Sequence, residues 1–292
     1  MSESVIADFV AGFNASTVDR GEPKKGRVVL SQKRLVLATK ATDGGKVTIP
    51  LSNIFDVAVG HVPEDLGDFF QSTVTIAYKQ GEQRHVAAVE ADDEKITKFS
   101  TVLFKALLNG TPMTVKHPAR VGGRVTGEEF RPARLSLKPK AVALTTDGSS
   151  FEIDLSTVTD VEQTRREIKG ASRQTLSIRH MNNGQATTSL LATDSNREMS
   201  LLGRYLRLEY SDIVEDLADV ELTEDKTELL VAVYSTGDGV SLANVLDAEP
   251  SQVTMLLNDL EADGLITTGE GGTDLTPKGR IVVSDRLEDV NA

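Results

Sequence analysis

Along the first two thirds of the chain, apolar residues recur at every second position in short runs broken by Gly, Asp and Asn. This is the pattern of half-buried strands joined by hairpins. Val28 and Leu30, then Leu35 and Leu37, fall on one face; Asp43-Gly44-Gly45 turns the chain, and Val47, Ile49 and Leu51 bring it back. The same order returns with Leu135, Leu137, Val142 and Leu144, the turn Asp147-Gly148, and Phe151, Ile153 and Leu155. After each of these stretches the period becomes helical. Residues 93–108 set Ile96, Phe99, Leu103 and Leu107 at spacings of three and four, one buried stripe, and residues 197–209 form the counterpart. Asp92 and Asp194 precede the two helices, where a carboxylate can accept from unpaired first-turn amides. From Leu222 onward three helices follow: one capped by Thr223 with Leu229, Leu230 and Val233, one over 241–246, and one over 251–263 with Val253, Leu256, Leu257 and Leu260 buried. Pro250 opens the third and Gly264 ends it. Leu265-Ile266 then starts a strand, residues 269–272 turn, and the run from Leu275 to Val283 follows.

The two strand-rich stretches are one motif written twice. Residues 27–39 align without a gap to 134–146, an offset of 107, and residues 49–57 align to 153–161, an offset of 104, so three residues are missing from the second copy's hairpin. Further on, Val74-Thr-Ile-Ala-Tyr78 matches Leu176-Ser-Ile-Arg-His180. A repeat this long is a duplicated domain and not a solenoid unit of roughly 20 to 50 residues. The pairs Val28/Leu135, Leu30/Leu137, Leu37/Leu144 and Ile49/Ile153 are expected on the core side, because a one-residue slip would turn a whole strand inside out. The resulting expectation is an α+β chain of three units: residues 1–113, residues 118–215 as the second copy, and an acidic tail over 221–292.

Composition narrows the chemistry. The chain has no cysteine and four histidines, and no long apolar run or basic-then-apolar start, so disulfides, a signal peptide and a membrane span are not expected, and a cytoplasmic location is. The tail carries four basic residues (Lys226, Lys278, Arg280, Arg286) against fifteen acidic, a net of −11 out of −12 for the whole chain. Such acidity suits a chain kept soluble in high salt. Gly21 to Gly26 has the glycine spacing of a phosphate loop but lacks its Lys and Ser/Thr and leads into a strand. His61, His85, His117 and His180 lie 24, 32 and 63 residues apart, which gives no metal-ligand or nucleophile-base spacing, and each reads as a surface or strand histidine. Asp92 and Asp194 read as caps. No catalytic residue, cofactor or metal ligand is assigned, and the chain is expected not to be an enzyme.

Two basic clusters stand out in this acidic background. Lys24, Lys25, Arg27, Lys33 and Arg34 surround the first hairpin of copy one; Arg165, Arg166, Lys169, Arg173 and Arg179 crowd the loop and strand after Val161 in copy two. One reading is a solvated loop, with nearby Glu162 and Glu167 balancing the second cluster; the other is a docking patch for an acidic protein or an anionic lipid surface, since contact depends on local charge. Arg165, Arg166, Lys169 and Arg173 are the candidate partner-binding residues.

The bent sheet closed by one helix resembles the pleckstrin-homology-like arrangement, on the wording GRVVLSQKRLVLAT…GGKVTIPLSNIFDV. The tail's LEADGLITTGEGGTDLTPKGR resembles the second half of a winged helix-turn-helix. Its third helix carries no Lys or Arg, however, and Asp259, Glu261 and Asp263 lie on or beside it, so a duplex would be repelled. With the start MSESVIADFV, the duplicated blocks and the acidic tail, the whole chain resembles the CheF family of archaeal taxis adaptors in its haloarchaeal form. That resemblance implies a non-enzymatic protein binding the response regulator CheY, its phosphorylated form preferred, and relaying the signal to archaellum motor accessory proteins and other taxis proteins. Neither nucleic acid nor membrane is expected as a partner. The reading from another class is a winged-helix transcription regulator whose duplicated domain senses or interacts.

Overall fold

The computed structural model describes residues 4–16, 19–39, 45–62, 66, 69–182, 185–218, 220, 222–236, 241–269, 272–276, 278–280 and 282–283, with the side chains of 19–22 and 210–218 left aside. Mostly antiparallel sheet dominates, with few helices.

The first sheet contains β1 (Val5–Ala15), β2 (Asp19–Ser31), β3 (Arg34–Thr39), β4 (Lys46–Pro50), β5 (Ile54–Val59), β6 (Ser72–Gln80) and β7 (Gln83–Ala91) in the order β4-β3-β2-β1-β7-β6-β5, followed by α1 (Asp93–Leu108). The second contains β8 (Pro112–Val121), β10 (Arg131–Lys138), β11 (Ala141–Thr146), β12 (Ser149–Asp154), β13 (Val158–Ile168), β14 (Ala171–Asn182) and β15 (Gln185–Ala192) in the order β12-β11-β10-β8-β15-β14-β13, followed by α2 (Asn196–Ala218). A two-residue strand, β9 (Arg124–Val125), pairs with β8. Strand for strand the orders are the same.

The register repeats as well. Val28 faces Leu37 and Leu35 faces Ile49 in the first sheet, and their counterparts Leu135 with Leu144 and Val142 with Ile153 pair likewise in the second. All eight are at most 1 % exposed. Even the irregularity recurs, as a bulge between Ile54 and Asp56 and another between Val158 and Asp160. One pair shows how the copies compensate. A Cβ on Gly26 would lie 2.6 Å from the Phe13 ring and 2.3 Å from the Ala38 carbonyl oxygen. In copy two the residue at Phe13's place is the smaller Val115, and Ala133 replaces the glycine.

In the first sheet β1 pairs with β2 along its length but with β7 only over Gly12–Ala15, whereas in the second β8 pairs with β10 only over Pro112–Val115 and with β15 from Thr114 to Val121. The inner faces then close on a core, and a single continuous core runs through both copies, from Ala11 to Leu206. The ends of the helices fasten the copies together. After α1 the chain pairs directly with β10, where Gly110 N donates to Leu135 O (2.8 Å), Leu135 N to Thr111 O (3.0 Å) and Leu137 N to Asn109 Oδ1 (2.7 Å). Phe104 of α1 and Tyr205 of α2, each 1 % exposed, meet at 5.5 Å between ring centroids. In return α2 packs on β5 of copy one. Arg197 donates Nη2 to Leu51 O (2.7 Å) and Nε to Ile54 O, and Arg204 forks onto Asp56 with both contacts at 3.1 Å.

The helix starts differ from expectation at one residue. Asp92 caps α1, accepting from Lys95 N at 3.0 Å. Asp194, however, does not cap α2: its carboxylate lies 3.0 Å from Arg173 Nε, and Ser195 serves instead, its Oγ accepting from Glu198 N and its carbonyl from Met199 N. The guanidinium holds Asp194, and the helix begins at Asn196, one residue before the expected 197. The helix also runs past residue 209. α1 stops before Gly110 at φ +85°, whereas the corresponding stretch of α2 holds neither Gly nor Pro, so nothing breaks it before Ala218.

The tail has a separate core built from Leu229, Leu230, Val253, Leu260, Leu265, Ile266, Leu275 and neighbours. It comprises α3 (Glu224–Thr236), α4 (Leu242–Val245), α5 (Pro250–Ala262) and the hairpin β16 (Ile266–Gly269) with β17 (Gly272–Leu275). Thr223 begins α3 as expected, with Lys226 N on its Oγ1 at 3.3 Å, and Gly264 turns the chain after α5 at φ +71°. Beyond Leu275 the chain does not continue the strand: residues 278–280 and 282–283 are helical. Gly279 N donates to Thr276 Oγ1 and Arg280 N to Thr276 O, the bonding of a helix start.

Candidate interaction site

The candidate basic residues lie on a β-hairpin and not in a loop. Strands β13 and β14 pair through to Ile168–Ala171, and Lys169-Gly170 makes the two-residue turn with φ of 51° and 75°, the geometry a tight hairpin demands at both positions. Because β15 stops pairing with β14 at Thr175, residues 165–174 form a two-stranded ribbon running past the sheet. Ile168 is 1 % exposed, so one side of the ribbon rests on the body of the protein.

The ribbon divides the four cations. Arg166 faces Arg173 directly and Arg165 faces Gln174, so Arg165 points to the opposite side from the other two. Like charges placed directly across strands repel, and the structure relieves this by turning Arg173 inward. Its Nη1 donates to Thr114 Oγ1 (3.1 Å), and its Nε faces Asp194. Arg173 thus ties the ribbon to β8 and to the start of α2. Arg165, Arg166 and Lys169 are exposed, and none has an acidic partner within ion-pair distance among the described residues. Arg179 lies 3.9 Å from Asp160.

The other cluster is more spent. Arg27 pairs with Asp8 across β1 and β2, holding that carboxyl below the usual carboxylate range through its hydrogen bond. Lys24 and Lys25 lie along β2, and Lys33 and Arg34 at its turn into β3.

Sequence spacing separated the histidines; the fold joins two of them. His180 in β14 and His117 in β8 both face inward and share the Ser189 hydroxyl of β15, with His117 Nδ1 at 2.7 Å and His180 Nε2 at 3.0 Å. Phe151 stacks flat on His117 at 3.9 Å between centroids. Burial lowers the pKa of His117, and burial together with the neighbouring His117 lowers that of His180 to about 4. Both rings are therefore neutral near pH 7. Ser189 is fully buried, so it offers no surface to a substrate. No group of three or more His, Cys, Asp or Glu that could hold a metal ion occurs among the described residues. The signal that could have found this pair lies in the repeat itself: where copy two has His117, His180 and Ser189, copy one has Ala15, Tyr78 and Ala87.

In the tail, α5 presents Ser251, Gln252, Thr254, Met255, Asn258 and Asp259 to solvent and no cation. Lys226 is drawn in by Asp263 at 2.8 Å. No described helix is long and apolar enough to cross a membrane.

The described residues thus form a duplicated antiparallel fold with an exposed cationic ribbon on its second copy. The family model described as "Archaeal Chemotaxis signal transduction system protein F" matches residues 5–212, which covers both sheets and ends within α2. The chain is 48 % identical over 291 residues, all of both chains, to "Taxis protein CheF2" of Halobacterium salinarum. It is 28 % identical over 301 residues, 99 % of both, to "Taxis protein CheF1" of the same organism. The chain belongs to the CheF family of archaeal taxis signal-transduction proteins.

Proposed function

We propose that the chain is a non-enzymatic adaptor of archaeal taxis that docks the response regulator CheY, preferring its phosphorylated form, and passes the signal to accessory proteins of the archaellum motor. The observation that carries this reading is the ribbon bearing Arg165, Arg166 and Lys169. These are three exposed cations, without acidic partners among the described residues, on a protein with a net charge of −12. Their mutual repulsion is relieved when an anionic surface covers them, and a phosphorylated regulator offers one in its carboxylates and phosphoryl group. Arg173 contributes indirectly by holding the ribbon in place.

The seven-strand order shared by the copies, each closed by a helix, supports a pleckstrin-homology-like assignment for residues 1–113 and 118–215. Three helices followed by a two-stranded hairpin support a winged helix over 221–292. With no cation on α5, that tail is suited to protein contacts more than to DNA.

The test is calorimetric titration of phosphorylated regulator into the full chain at high salt. Near 1 M salt the Debye length is only about 3 Å, so contact pairs and not long-range steering carry the affinity. Reversing Arg165 and Arg166 to Glu is expected to weaken binding by about 1–3 kcal/mol. Unchanged affinity with an intact circular dichroism spectrum would refute this site.

A further inference from the structure

The duplication offers a direct comparison of one surface in two states. In copy one, the end of β5 holds a helix. The acceptors are set by a 3-10 turn, Leu51–Asn53, whose first carbonyl receives Ile54 N, and by the bulge that presents Asp56. Arg197 and Arg204 of α2 bind them, one on the carbonyls of Leu51 and Ile54, the other on the Asp56 carboxylate. Seven residues apart, the two arginines stand two turns apart on one helix face.

Copy two builds the same acceptors. Its 3-10 turn Leu155–Thr157 again returns Val158 N to Leu155 O, and its bulge presents Asp160 at the position of Asp56. Among the described residues no side chain donates to the carbonyl of Leu155 or Val158. Among the described residues the one cation within ion-pair distance of Asp160 is Arg179, at 3.9 Å with both side chains about half exposed, a pair of little energetic weight. The difference in cover is visible one residue further on: Val57 is 1 % exposed beneath α2, while its counterpart Val161 is only partly buried. Of the described elements, only β14 and the helix of its own repeat, α2, pack appreciably on β13.

We infer that the second repeat keeps open, at Leu155, Val158 and Asp160, the helix-docking slot that α2 fills on the first, and that its occupant is a partner protein's helix presenting two arginines two turns apart. None of the helices α1 to α5 supplies it among the described residues. α2 is already engaged, α1 and α4 contain no arginine, α5 contains no cation, and the one cation of α3, Lys226, is held by Asp263. A guanidinium fits where an ammonium does not, because the slot asks for one donor that spans two carbonyls and another that forks onto a carboxylate. Asp154 and Glu162, both exposed, add negative charge around it. The slot stands apart from the basic ribbon. Asp160 and Arg166 are six residues apart on β13, roughly 20 Å along a strand, and the inference holds whether or not the ribbon binds the regulator.

The probe is α2's own sequence. A fluorescein-labelled peptide of residues 195–208, stapled on the side away from Arg197 and Arg204 and verified as helical by circular dichroism, is titrated into the full chain and followed by anisotropy. Saturable binding is expected, with Kd on the order of 10–100 μM. Asp160→Lys, at a half-exposed position and with the fold checked by circular dichroism, should weaken it at least about fivefold. Arg179→Ala, which removes the competing cation, should tighten it about twofold. A peptide with both arginines changed to Glu should not bind. No saturation up to about 1 mM, or binding insensitive to Asp160→Lys, overturns the inference. So does binding that is lost with Asp56→Lys but kept with Asp160→Lys, because the peptide would then be displacing α2 from the occupied slot.

Discussion

The sequence that follows Val59 is acidic in one copy, and its counterpart in the other is basic. After β5 the chain runs through residues 60–71 with Glu64, Asp65 and Asp68 and no Lys or Arg; after the corresponding part of β13 comes the ribbon with Arg165, Arg166, Lys169 and Arg173. The interiors diverge too. Copy one fills one end of its core with Ala15, Tyr78, Ala87 and Val47, all at most 6 % exposed, where copy two sets His117, His180, Ser189 and Phe151. The strand order and register survive both changes, because backbone pairing and the alternation of apolar positions specify the sheet while one end of the core and one charged segment are left free to vary. Duplication kept the frame and gave each copy its own chemistry.

The sharpest way to break this comparison is to ask whether the copies are one cooperative body. Phe104→Ala removes the ring that meets Tyr205 between them and should cost about 3–5 kcal/mol. Calorimetry should then show both copies melting together at the lower temperature, with the tail, which has its own core, free to melt separately. Two resolved transitions within residues 1–212 would mean that the shared core does not couple them.

The histidine pair gives the next effect. A folded-state pKa of about 4 for His180, below the roughly 6.5 of an unfolded histidine, means that the native state resists protonation. The stability held by the neutral ring is complete above about pH 6.5 and declines as the pH falls toward 4, by about 3 kcal/mol across that window. Urea melts at pH 7, 5.5 and 4.5 should trace this slope. The double change His180→Tyr with Ser189→Ala, which installs copy one's residues, should flatten it. A slope unchanged by that substitution would assign the acid sensitivity to carboxylates.

The smallest effect separates the two aspartates after the bulge. Asp56→Ala removes a forked partner of Arg204 at a partly exposed site and should destabilise by about 1 kcal/mol. Asp160→Ala should change stability by less than about 0.5 kcal/mol. Equal losses in chemical denaturation would show that Asp160 is already engaged within the chain.

Much of this frame was legible in the sequence because it is written in local periodicity. Val28, Leu30, Leu37 and Ile49 alternate at the period of a strand and are repeated, which fixed their pairing as well as their burial. Residues 93–108 carried both a stripe and a cap, and α1 spans those residues. What was not legible depends on contacts distant in sequence. Asp194 has the position of a cap, and only Arg173, twenty-one residues earlier on a neighbouring strand, explains why it does not act as one. The meeting of His117 and His180 needs β15 between them to supply Ser189. The basic segment read as part loop because its charges hide a strand alternation whose apolar member, Ile168, stands beside a Lys-Gly turn. Of the four candidate residues, three lie exposed on one ribbon and the fourth anchors it, a distinction that spacing alone cannot draw.

The helix α2 closes its own sheet, grips the other, and continues toward the tail. Its 23 residues make a rod of about 34 Å. Because its arginines hold the first copy while its apolar face fills the core next to the second, neither copy can release it without disturbing the other. A ligand that shifts α2 from one side alters affinity on the other side by the same factor, whichever binds first. With reciprocity of this kind a single helix would be the common term in two binding equilibria, and occupancy at one surface would be reported at the other without a hinge between them.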